Sequence, residues 1–184
     1  MSNKLIKRIH IVGASGSGTT TLAKELGKEL NYKHFDTDDF FWVKTHPPYQ
    51  QKTQVEERIR YMDEGLNDVD RWVLSGSLCG WGDVFIPYFD LVIFLWIPQE
   101  LRMNRLLERE KKRYGKEINI GGKMYKSHIE FMQWASKYDS GNLDIRSKKL
   151  HYEWIKKLEC NVFKIEEDIE INEKVKRVME IINR

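Results

Sequence analysis

The run Gly13-Ala14-Ser15-Gly16-Ser17-Gly18-Thr19-Thr20 has the spacing G-x-x-x-x-G-x-T and constrains this chain more than any other stretch. Its glycines allow backbone N–H groups to turn inward around an anion, and a helix beginning at Thr19 adds the positive end of its dipole. The apolar run Ile9-His10-Ile11-Val12 precedes it, and Leu22, Ala23, Leu26 and Leu30 follow at helical spacing. A strand before and a helix after is the context a phosphate-binding loop requires. The same glycines also suit a plain turn.

The remaining elements alternate. The patterning predicts strands at Ile9–Val12, Lys33–Asp36, Arg71–Ser75, Leu91–Ile97 and Asn161–Ile165. It predicts helices at about Thr19–Leu30, Gln54–Leu66, Glu100–Arg113, Tyr125–Tyr138, Ser147–Leu158 and Asn172–Asn183, with Tyr114–Gly122 as loop. Leu91–Ile97 is the most apolar stretch and is expected at the centre of the sheet. Strands alternating with helices give an α/β fold with a five-stranded parallel sheet, whose ligands bind beyond the carboxyl ends of the strands. The glycine loop, Asp36–Asp39 and Ser75–Ser77 all follow strand ends.

Length suits a single domain over residues 1–184, with about 114–146 as a lid or lid-adjacent insertion. The 31 basic and 28 acidic residues nearly cancel. That balance, with no basic stripe, argues against a nucleic-acid partner. No apolar run approaches the roughly 18 residues of a membrane span. Met1 to Arg8 lacks the apolar stretch and cleavage site of a signal peptide, and the two cysteines, Cys79 and Cys160, imply no disulfide framework. A cytoplasmic protein is expected.

Two departures stand out at the phosphate loop. The residue between Gly18 and Thr20 is Thr19, where a lysine ordinarily reaches the terminal phosphates. No acid closes the third strand, where Ser75-Gly76-Ser77 stands. Lys24, a full turn into the helix, points away from the loop. Thr20 keeps the hydroxyl that binds Mg²⁺ in such loops. Asp36 and Asp38 are the carboxylates left to serve the metal or to orient a hydroxyl nucleophile, although Asp-Thr clusters also cap helices.

The loop, the Phe35-Asp36-Thr37-Asp38-Asp39 segment and the Ser75-Gly76-Ser77-Leu78-Cys79-Gly80-Trp81-Gly82 segment resemble bacterial adenylate-kinase-like proteins, also labelled DNA topology modulation proteins. More broadly the chain resembles P-loop NTPases of the adenylate kinase and shikimate kinase group. That resemblance implies a three-layer fold with a helical lid insertion, ATP and Mg²⁺ as cofactors, and a nucleotide and a small-molecule acceptor as partners. It implies that Gly13, Ala14, Ser15, Gly16, Ser17, Gly18, Thr19 and Thr20 bind the donor phosphates. Asp36 and Asp38 would grip the acceptor and the metal, with Thr20 and Asp38 on the metal side. Arg105 would pack on the donor base and Arg109 would reach the phosphates as a catalytic cation. A charged helix face is the plain alternative for both arginines. Arg58 or Arg60 would hold an anionic group of the acceptor, near Ser77; a surface arginine is the alternative. Phe40, Phe41, Trp42 and Trp81 could line an acceptor pocket or simply pack the core. The activity implied is that of a small-molecule or nucleotide kinase. The alternative is a nucleotide-binding regulator with little transfer, because of Thr19.

Overall fold

Five parallel strands form the centre of the computed structural model, which describes residues 5–183. The expectation for the leading segment therefore lies outside the described residues up to residue 4. The strands are β1 (Arg8–Gly13), β2 (Lys33–Asp36), β3 (Trp72–Ser75), β4 (Leu91–Leu95) and β5 (Asn161–Ile165), in the spatial order β2-β3-β1-β4-β5. The expected sheet is thus observed. β1 and β4 lie inside it, and all five residues of β4 are buried. Burying a side chain of this kind fully is worth about 1.5–3 kcal/mol, so the most apolar run takes an interior position.

Helices cover both faces. α1 (Thr19–Leu30) and α7 (Ile171–Ile182) pack on one face, where Leu22, Leu26 and Val178 meet Ile9, Ile11, Ile93 and Leu95. α3 (Val55–Asn67), α6 (Lys148–Ile155) and a 3₁₀ segment (Asp83–Tyr88) cover the other, where Met62, Leu66, Phe85 and Trp154 meet Trp72, Leu74, Val92 and Phe94. α4 (Gln99–Tyr114) and α5 (Tyr125–Ser136) pack together. The segment read as loop, Tyr114–Gly122, contains a 3₁₀ turn over Gly115–Ile118. A short helix, α2 (Thr37–Phe41), directly follows β2; a five-residue helix leaves no periodicity to read.

Local chemistry sets the boundaries that matter for the site. α1 ends where Asn31 adopts φ 54°, and its N–H bonds back to Gly27 and Lys28. α2 begins because the Asp36 carboxylate accepts the Asp38 N–H at 3.0 Å. Ser147 caps α6 the same way, accepting from the Leu150 N–H at 3.0 Å.

His10 is wholly buried in β1, stacked on Phe89 with ring centroids 4.9 Å apart. Burial pushes its pKa down to about 3. The unfolded chain therefore binds a proton near pH 6.5 that the folded chain refuses until about pH 3. Stability must fall as pH drops through that window. His151, also pushed down to about 3 by burial, adds in the same direction. Denaturant unfolding between pH 7 and pH 4 should show a declining free energy, and His10→Leu should flatten the decline.

Candidate functional site

The carboxyl ends of β1, β2 and β3 bring the site together. The loop after β1 turns at Gly16 (φ 83°) and Gly18 (φ 98°), conformations that residues with a Cβ rarely adopt. A Cβ on Gly13 would stand 2.8 Å from Ser17 Oγ, and one on Gly16 would stand 2.8 Å from the Arg102 carbonyl. The loop is therefore packed from below by α4. No side chain caps the first turn of α1, so its N–H groups face outward at the positive end of the helix. The fully buried Ser17 Oγ has no hydrogen-bond partner among the described residues. This cradle fits a phosphate group.

Asp36 is the hub beside it. One oxygen accepts from the Thr20 hydroxyl at 2.9 Å and from the Ser75 hydroxyl at 3.0 Å. The other accepts the Asp38 N–H. Ser75 sits opposite Asp36 in the β2–β3 register and also meets His34 Nε2 at 2.9 Å. Burial lowers the pKa of His34, which favours the neutral ring. With the proton on Nε2 the ring donates to Ser75, leaving the Ser75 hydroxyl free to donate to Asp36. Ser75 thus holds the carboxylate of the neighbouring strand where a third-strand acid was expected and is absent.

The carboxylate on Thr20 is Asp36, not Asp38, because Asp36 closes β2 while Asp38 lies one step on, in the first turn of α2. No group of three His, Cys, Asp or Glu side chains that could hold a metal occurs among the described residues. A hydroxyl, a carboxylate and an adjoining phosphate cradle nevertheless suit Mg²⁺, which keeps several waters and takes one or two carboxylates. Thr20 and Asp36 would hold it, and the ion would neutralise phosphate charge.

Asp38 has solvent-exposed surface, but protein atoms crowd it at longer range, as on a cleft wall. That burial, then the Asp36 carboxylate, raises its pKa; Arg146 and Arg109 pull it back down. Arg146, in the loop before α6, carries no motif in the sequence and was not anticipated. Burial lowers its own pKa, and its guanidinium lies 5.3 Å from the centre of the Trp134 ring. Nothing in its local spacing marks it, yet its charge acts on Asp38 from far along the chain.

The structure separates Arg58 from Arg60. Arg58 is buried between Phe41 (3.8 Å to the ring centre) and Trp81 (4.9 Å), and donates to the Thr53 carbonyl at 2.7 Å. Arg60 is exposed over Tyr61, on another face of α3. Two residues apart on a helix do not share a face, so Arg60 is not brought to the cleft. Phe41 and Trp81 hold Arg58 in place; Trp42 instead packs against Tyr49. Ser77 is buried and bonded to His151 Nε2 at 3.1 Å, with Tyr138 on the other ring nitrogen at 2.7 Å. It therefore stands behind the cleft wall. Cys79 is half-buried, and burial raises its thiol to about 11, so it is inert as a nucleophile.

Arg105 and Arg109 do share a face of α4. With the phosphate loop and the turn after β5 they enclose a cleft of about 390 Å³. Arg105 is tied to Asp168 at 2.9 Å, and Arg109 lies 5.9 Å from the centre of Phe131. Lys24 is exposed and does not line this cleft. At the root of the lid, the fully buried Arg102 pairs with Asp139 and donates to the Ile97 carbonyl at 3.1 Å.

Comparisons with known proteins agree with this geometry. Residues 9–133 match the family model described as AAA domain. A Bacillus subtilis (strain 168) protein, uncharacterized protein YqaC, is 45% identical over 177 residues, covering 96% of this chain and 98% of its own length. The cytidylate kinase of Haloarcula marismortui is 32% identical over 115 residues, 56% of this chain; the chain spans 59% of that protein. Among solved structures, a shikimate kinase from Acinetobacter baumannii in complex with shikimate superposes with a TM-score of 0.60, covering 97% of this chain and 93% of that one. At 14% identity, that likeness shows the fold alone.

Gly76 supplies a test of how tightly the site is built. Its φ is 112°, and an added Cβ would stand 1.9 Å from Thr37 Oγ1. Gly76→Ala should therefore push α2 off the end of β3 and cost roughly 2–4 kcal/mol, from backbone strain of about 1–3 kcal/mol plus the clash. A drop in melting temperature of several degrees is expected; an unchanged transition would show that α2 is free to move.

Proposed function

The chain belongs to the AAA domain family, with a kinase-like P-loop fold, and we propose that it is a phosphotransferase moving the terminal phosphoryl group of a nucleoside triphosphate to a small acceptor. The observation that carries this reading is the cleft in which Arg105 and Arg109 of α4 line one wall beside the phosphate loop, with the charges of Arg109 and Arg146 also acting on Asp38. Phosphoryl transfer is mostly positioning and charge stabilisation. With Thr19 in the lysine's place, the transferring group needs cations from elsewhere, and two arginines from the lid supply them.

The parts divide as follows. The loop from Gly13 to Thr20 and the start of α1 cradle the donor phosphates, with Thr20 and Asp36 on the metal side; ATP is the donor the family resemblance implies. Mg²⁺ held by Thr20 and Asp36 would offset the charge of the phosphates. Asp38 accepts the proton of an acceptor hydroxyl as its oxygen attacks the γ-phosphorus, and the nucleoside diphosphate leaves. Arg58 is the anchor for the acceptor. Its fork is planar and pinned between two rings, so it recognises a carboxylate or phosphate with little ordering cost. The Phe41 and Trp81 rings supply the apolar wall beside it. The acceptor class is thus a small anionic molecule with a free hydroxyl.

A second reading keeps the nucleotide and drops the transfer. Thr19 is what favours it, since a threonine hydroxyl carries no charge. A screen of ATP consumption against nucleosides, nucleotides and small hydroxy acids separates the two. Turnover with an anionic acceptor supports transfer. Nucleotide binding without turnover against any acceptor would leave the regulatory reading.

Two variants sharpen the test. Asp38→Asn should cut kcat by 10²-fold or more, by roughly the 10²–10⁴-fold a positioned acid or base contributes. It should be no less stable than the parent at pH 7, because a carboxyl with a raised pKa is disfavoured as its ion in the fold. Arg146→Met should lower kcat and also move the acid limb of the kcat/KM profile upward. Arg146 holds the Asp38 pKa down, so its removal leaves Asp38 protonated at higher pH. A lowered rate with an unmoved acid limb would detach Arg146 from Asp38.

A further inference from the structure

The direction in which a donor must lie follows from the strand order. The phosphate loop follows β1, while Asp36, Asp38 and Arg58 stand on the β2–β3 side. A triphosphate whose terminal group faces Asp38 therefore runs its base the opposite way, past β4 to the turn after β5. That end of the 390 Å³ cleft is walled by Arg105 and Leu106 on one side and by Asp168, Ile169 and Lys174 on the other.

Lys174 is out of place by every ordinary rule. It lies in the first turn of α7, where the helix dipole repels a cation. Only 6% of its surface is exposed, although it stands near the rim of the molecule. Asp168 and Glu170 attract it from a distance, and Arg105 repels it. No carboxylate comes within ion-pair range among the described residues. Its ammonium is not among the fully enclosed polar atoms that lack a partner, and the residue lines the cleft. Burial, then Arg105, lowers its pKa. A covered lysine with no ion pair is costly unless something supplies acceptors to its ammonium. The cleft is where such acceptors can enter.

We propose that Lys174 reads the donor's base and that this pocket selects a 6-oxopurine nucleotide, guanine before adenine. This rests on the reading that the cleft binds a nucleoside triphosphate. An ammonium has three donors and no acceptor. Guanine offers it two adjacent acceptors, O6 and N7, on one edge, whereas adenine places an amino donor beside N7. Asp168 complements the other edge. Its Oδ1 holds Arg105, and its second oxygen can accept from the N1–H and amino group of guanine, where adenine presents the N1 acceptor. Cation and carboxylate on one wall thus match the acceptor and donor edges of guanine in order. Arg105, held by Asp168, covers the face of the ring.

Calorimetric titration of the full chain with GTP, ITP and ATP, each with Mg²⁺, tests the assignment. GTP and ITP, which share the 6-oxo group, should bind about tenfold more tightly than ATP, the lower part of the range for a bidentate base contact. Lys174→Met should bring GTP and ATP to near equality and raise the melting temperature of the unliganded protein, because a buried unpaired charge is gone. Lys174→Arg, which keeps the donors, should retain the preference. ATP binding as tightly as GTP would overturn the proposal while leaving the nucleotide reading intact, as would a GTP preference that survives Lys174→Met. Failure of every nucleotide to bind would overturn both. The ranking in the parent protein stands by itself if a variant does not fold.

Discussion

One carboxylate, that of Asp36, fastens the three parts on which the site depends. It accepts from Thr20 on α1, from Ser75 at the end of β3 and from the backbone of Asp38 in α2. Each bond alone is a modest contribution of about 1–3 kcal/mol. Together they fix the distance between the phosphate loop and the ends of β2 and β3. They also explain why a serine suffices at the end of β3. The charge sits on the neighbouring strand, and Ser75, backed by His34, holds it in position.

Thr19 shifts the electrostatic burden outward. A loop lysine would place a fixed charge at the floor of the cleft. Here the cations stand on α4 and in the loop before α6, elements tied to the lid insertion. Arg102 and Asp139 join the root of α4 to the end of α5, with Trp96 also donating to Asp139 at 2.6 Å.

The same cleft is asymmetric in a way the fold alone does not require. Beside it, toward β2 and β3, stand an acid of raised pKa and an arginine pinned between two rings. Toward β5 it carries a lysine with no carboxylate in ion-pair range among the described residues and a carboxylate paired through one oxygen. Parallel strands deliver all of these from loops at one edge.

The sequence by itself determined the sheet, the phosphate loop and the acid-bearing end of β2. These rest on short-range chemistry: glycine spacing, alternating apolar runs and a polar cluster at a strand end are all written within a few residues. It put Arg105 and Arg109 on one helix face, as the cleft shows them, but could not divide Arg58 from Arg60, because burial of one face of α3 is decided by what packs on it. Only the tertiary structure decided that Asp36 rather than Asp38 meets Thr20, that the charge of Arg146 acts on Asp38, and that Lys174 is covered with no ion pair among the described residues. Each depends on elements far apart in the chain being brought to one edge, and no local pattern encodes which charge will lie opposite which.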